Sequence, residues 1–95
     1  MKVIQEIQQW ARDRDLDTQD PKVQLSKLME ESGELARAIL KDNPIDKIDA
    51  IGDITVVLIV LSMQLGLDYS KCVELAYSII KDRKGKIVDG VYIKE

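Results

Sequence analysis

The sequence predicts an all-α fold: a four-helix bundle-like domain followed by a short C-terminal β-hairpin or extended arm. Three observations carry that expectation. Apolar residues recur at helical spacing through most of the 95 residues. The breaks between those runs hold Asp, Asn, Pro and Gly, the residue types that start and stop helices. The tail GKIVDGVYIKE changes character, with apolar residues flanking Asp89-Gly90, a strong two-residue hairpin signal. A chain this short forms one domain, residues 1–95, and has difficulty burying a sufficient core alone. A homodimer or homotetramer is therefore expected.

The first helix is carried by Val3, Ile4, Ile7, Trp10 and Ala11 and should fade near Arg14. Asp20 is a good N-cap and Pro21 suits a first helical position, so a second helix starts there and runs to about Lys41. Its apolar residues Val23, Leu25, Leu28, Met29, Leu35, Ala36 and Ile39 define one broad inward face. Gly33 interrupts that helix at a cost of about 1 kcal/mol relative to alanine, which suggests close approach by another backbone or by a ligand. The tripeptide Asp42-Asn43-Pro44 is a breaker, and a third helix should run from about Ile45 to Leu65. The second half of this helix is apolar on nearly every side, so self-association through it is expected. Gly66 ends it. Asp68 or Ser70 caps a fourth helix from about Tyr69 to Lys84, with Val73, Leu75, Ala76, Ile79 and Ile80 facing inward.

Composition removes several function classes. Hydrophobic residues at 45% and charged residues at 33% are a globular balance, so disorder is excluded. A net charge of -3 gives no basic field for a phosphodiester backbone, and no nucleic-acid partner is expected. One cysteine and no histidine leave neither a disulfide nor a zinc site, and no Ser-His or Cys-His nucleophile. Carboxylates, lysines and metal-activated water remain as the chemistry available. MKVIQEIQQWARDRD lacks the apolar centre of a signal peptide, which points to the cytoplasm. The run ITVVLIVLSMQL falls short of the roughly 18 apolar residues that suggest a membrane span, so no membrane is expected.

The acids are grouped. At about 100° per residue, Glu31 and Glu34 lie roughly 60° apart on the second helix, and Glu30 and Glu34 roughly 40° apart. Asp49 and Asp53 share a stripe of the third helix, which Asp46 extends by a turn. Antiparallel packing across the short Asp42 to Pro44 loop would bring the two groups together. Like charges 4 Å apart near a surface repel by about 4 kcal/mol, so such a cluster takes up protons or cations. Donors that are all carboxylate oxygens favour Mg²⁺, with Mn²⁺ the next choice, and Mg²⁺ commonly joins substrate phosphates. A solvated acidic face is the competing reading.

At these residues the chain resembles the MazG-like all-α nucleoside triphosphate pyrophosphohydrolases. Those enzymes carry an ExxE pair on one helix and an ExxD pair on the next, which together hold Mg²⁺. The first pair is present as Glu31-Ser32-Gly33-Glu34 within KLMEESGELA. The second matches at IGDI, where Asp53 is the final acid, but Ala50 stands where the family has Glu and Asp49 directly precedes it. The resemblance implies Glu31, Glu34, Asp49 and Asp53 as metal ligands, and hydrolysis of a nucleoside triphosphate between its α and β phosphates. Glu30 or Glu34 would accept the proton of the attacking water. AYSIIKDRKGK looks like the family's phosphate-binding region, giving Lys81, Arg83 and Lys84, which as plain helix C-terminal cations would need no ligand. Trp10 is a candidate for stacking on the base, against the commoner role of a core tryptophan.

Overall fold

The computed structural model describes residues 1–95 and contains four α-helices and a two-stranded sheet: α1 (Lys2–Asp13), a 3-10 turn (Leu16–Thr18), α2 (Pro21–Leu40), α3 (Pro44–Gln64), α4 (Tyr69–Ile80), β1 (Gly85–Val88) and β2 (Val91–Lys94). Asp20 and Asp68 cap as the sequence implies, and Asn43, within the expected breaker, is a cap as well. Asp20 accepts from the Lys22 N–H, Asn43 from the Asp46 N–H and Asp68 from the Ser70 N–H, each satisfying a donor that the first helical turn leaves free. Helix α3 starts one residue before the expected Ile45, because Pro44 needs no N–H partner at a first helical position.

Helix α3 is the spine. Helices α1 and α2 and the 3-10 turn all pack on it, and the buried core is Ala11, Ala38, Ala50, Val57, Ile59 and Val60. The side-chain amide of Gln24 reaches across from α2 to the Val57 carbonyl at 3.3 Å. That of Gln64 holds the 3-10 turn through the Leu16 carbonyl at 2.9 Å. The Ile54 to Gln64 half of α3 is thus buried or half-buried within its own chain. Its first half is left open instead, with Ile48 72% exposed between exposed Ile45 and Ile51.

Of two expected inward faces, that of α2 is inward only at Leu28 and Leu35, and that of α4 not at all. On α2 the covered stripe is Gln24, Leu28, Glu31, Leu35 and Ala38, a three-four spacing that follows the seam with α3, while Val23, Leu25, Met29 and Ile39 are exposed. Helix α4 buries no residue at all: α3 and α4 meet at 106°, which carries Val73, Leu75, Ile79 and Ile80 away from the bundle. It also ends at Ile80 rather than Lys84. The following residues turn into the antiparallel hairpin, where Glu95 donates to the Lys84 carbonyl and the Tyr92 hydroxyl to that of Arg83. The hairpin has the register expected from Asp89-Gly90. Both turn residues have positive φ, 50° and 79°, as a two-residue turn matched to strand twist requires. No single helix is long and apolar enough to cross a membrane.

Candidate active site between the second and third helices

The antiparallel pairing of α2 and α3 opens a cleft of about 350 Å³. Its floor is Ala38 and Ala50, two small side chains on the seam. Glu34, Arg37 and Lys41 form one wall from α2, and Asp46, Asp49 and Asp53 form the other from α3. Of the first acidic group Glu34 alone lines this cavity, where it meets all three acids of the second. The short loop helps to fix this pairing: Lys47 bridges to Asp42, and the Asn43 N–H donates to the Ala38 carbonyl at 3.1 Å.

Glu31 occupies the seam beneath the cleft, 9% exposed, at a position where packing would favour an apolar side chain. Its Oε1 lies 4.0 Å from the Lys27 ammonium, and its Oε2 is buried without a partner. Burial pushes its carboxyl above the usual carboxylate range. The proton it can share with Glu34 and the negative charges of Glu34 and Asp53 push in the same direction, and Lys27 opposes them. An orphaned buried carboxylate oxygen beside two further acids is costly for the apo protein and well suited to a hard cation. No three of the acids are drawn together tightly enough to enclose an ion as they stand. Mg²⁺ does not require that, since it keeps several waters and binds through one or two carboxylates plus phosphate oxygens.

Ala50, which stands where the resembled motif has Glu, is 4% exposed on the cleft floor, and its methyl group offers no metal ligand. Asp49 lines the cleft one residue earlier. Glu30 is exposed and does not line the cleft. Nor do Lys81, Arg83 and Lys84, which lie where the chain passes from α4 into the hairpin rather than on a helix. Trp10 belongs to a separate apolar groove with Val3, Ile7 and Val56, and the Arg14 guanidinium covers its ring at 4.5 Å from the centroid. Nothing in the chain approaches Gly52, and a β-carbon at Gly33 would only touch the Arg37 guanidinium at 3.7 Å. The close backbone approach suggested for Gly33 is therefore absent within this chain.

Arg37 and Lys41 were not among the residues singled out from the sequence. Their signal was present, since they follow Glu34 at intervals of three and four, the spacing of one helical stripe.

The sequence model for phosphoribosyl-ATP pyrophosphohydrolase matches residues 4–78. The chain belongs to the phosphoribosyl-ATP pyrophosphohydrolase family. The span matched to phosphoribosyl-ATP pyrophosphohydrolase includes Glu31 and every residue lining the cleft, and it stops before Lys81 and the hairpin. A relative described as an uncharacterized 18.2 kDa protein in the rep-hol intergenic region of Haemophilus phage HP1 (strain HP1c1) is 43% identical over 68 residues. The aligned region is 70% of this chain and 42% of that relative, so the chain spans less than half of the relative's length. No solved structure matches.

Proposed function

We propose that the chain is a Mg²⁺-dependent nucleotide pyrophosphohydrolase of the MazG-like kind, cleaving a nucleoside triphosphate between its α and β phosphates. The observation that carries this reading is the buried Glu31 carboxylate set beneath a cleft that Glu34 and Asp53 share. Glu31, Glu34 and Asp53 would hold Mg²⁺ or Mn²⁺, with Asp49 beside them. When bound, the ion supplies positive charge at the phosphate oxygens and eases deprotonation of the attacking water. Glu34 lines the cleft and is exposed, so it can orient that water and accept its proton. The water oxygen bonds to the α-phosphorus as the bond to the α–β bridging oxygen breaks. Pyrophosphate departs with that bridging oxygen and the monophosphate remains. The role that fits this chemistry is cytoplasmic housecleaning of the nucleotide pool.

The test is pyrophosphate release from a panel of NTPs, dNTPs and phosphoribosyl-ATP with Mg²⁺ or Mn²⁺. Release from at least one of them is expected; no release at any enzyme concentration overturns the proposal. A second reading, a non-catalytic helical binding module, draws on Ala50 and on the absence of a closed carboxylate cage. A non-hydrolysable nucleotide with Mg²⁺ separates the two. It should raise the melting temperature of the enzyme by mass action and leave that of a module that binds no nucleotide unchanged.

A further inference from the structure

We propose that Arg37 and Lys41 form the anion-binding half of the cleft and hold the departing pyrophosphate portion of the substrate. This rests on the pyrophosphohydrolase reading above and assigns a role to two residues that neither the sequence motif nor the family match singles out.

Arg37 and Lys41 are the two cations that line the cleft. A cation whose purpose is to neutralise the surrounding acids would be found paired with one of them. The chain's ion pairs join Lys27 to Glu31 and Lys47 to Asp42, so neither Arg37 nor Lys41 is committed to a carboxylate. The Arg37 guanidinium lies back along its own helix over Gly33, where it leaves the facing wall of Asp46, Asp49 and Asp53 unpaired. Both cations lie near the C-terminal end of α2, where a positive charge complements the helix dipole. That accounts for their sign but not for their shared access to one cavity.

The antiparallel helices grade the cleft from end to end. Glu34 and Asp53, close to Glu31, mark one end; Lys41 and Asp46 mark the other, beside the loop. A rise of 1.5 Å per residue places Arg37 about 4.5 Å and Lys41 about 10 Å along α2 from Glu34, a run along which successive phosphates can be laid. Acids alone would repel a triphosphate, and cations held at the Glu34 end answer for only part of its charge. The charge that grows on the departing pyrophosphate falls at the loop end, where Arg37 and Lys41 stand opposite Asp46 and Asp49. There the planar fork of Arg37 can take two phosphate oxygens at once, and Lys41 adds a point charge.

The test uses the full chain with Mg²⁺. Inorganic pyrophosphate binding is measured by calorimetry, and steady-state kinetics are run on whichever nucleotide the wild type cleaves, for Arg37→Gln, Lys41→Gln and Arg37→Lys. Each Gln variant is expected to weaken pyrophosphate binding and raise KM by about tenfold. The ligand-free melting temperature should change little, because both side chains are exposed and the helix-dipole contribution of each is small. Arg37→Lys should recover part of the loss. Gln variants that bind pyrophosphate like the wild type while turnover persists overturn this inference and leave the pyrophosphohydrolase reading standing. Lowered ligand-free melting temperature with unchanged pyrophosphate affinity also overturns it, marking the pair as counter-ions to the acids. A wild type that releases no pyrophosphate from any nucleotide overturns the activity, and this role with it.

Discussion

Glu31 on α2 and Asp53 on α3 stand close enough that the negative charge of Asp53 opposes ionisation of Glu31. This relationship links fold to chemistry, because the seam that packs the two helices is also the seam that holds the buried acid. An apolar residue at position 31 would pack more favourably, so the buried carboxylate there marks a candidate functional residue.

The pH dependence of stability follows from the same residue. The folded-state pKa of Glu31 is raised above the unfolded value of about 4.3, so its contribution is favourable below that pH and is lost as pH rises through the folded pKa. In metal-free buffer Glu31→Gln should match the wild type near pH 4 and become progressively more stable than it toward neutrality. Urea titrations across that range provide the check. A stability difference that does not change with pH would contradict the assignment.

Glu34→Ala and Asp53→Ala should each lower pyrophosphate release by about 100-fold or more. Both side chains are exposed in the cleft, so circular dichroism melts should show an intact fold. Unfolded variants would recast these acids as structural.

Ala50→Glu would set another carboxylate into the seam beside the Glu31 region, where Ala50 is buried. Overpacking and charge together should cost about 1–3 kcal/mol without metal, and millimolar Mg²⁺ should return most of it. Equal losses with and without Mg²⁺ would mean that position 50 offers nothing to a cation.

Asp20→Ala removes the cap on the Lys22 N–H, a 2.9 Å hydrogen bond, and should destabilise the fold by about 1 kcal/mol in chemical denaturation. The site is remote from the cleft, so KM and kcat should be unchanged.

The open apolar faces of α4 and of the first half of α3 call for cover. Light scattering should return a mass of two or four chains, and Leu75→Glu with Ile79→Glu should reduce it. A wild-type mass of 10.8 kDa at every concentration would exclude a homo-oligomer.

Local chemistry was legible in the sequence, and the choice of packed face was not. Asp20 and Asp68 mark helix starts because a cap needs only its own first turn, Asp42-Asn43-Pro44 marks a break, and Asp89-Gly90 marks the hairpin for the same local reason. The convergence of Glu34 with Asp49 and Asp53 was legible too, since a short loop between two long helices forces them antiparallel. On α2, however, Val23, Leu25, Met29 and Ile39 lost the seam to a stripe that joins Leu28, Leu35 and Ala38 to Gln24 and Glu31. A glutamate at a core position reads as surface until its neighbour on α3 is known. Arg37 and Lys41 were passed over because attention to acids treats nearby bases as solvated. Helix α4 looked like a fourth bundle member because periodicity shows that a face is apolar and says nothing of what it meets.

Gly66 ends α3 with φ of 74°, a left-handed conformation that a side chain would disfavour, and everything from α4 through the hairpin leaves the body just beyond it. The heading of that arm therefore depends on a very short joint with little packing on its α4 side. A modest twist there would swing the hairpin tip through a wide arc, as a boom swings on its gooseneck, while the cleft between α2 and α3 stayed fixed.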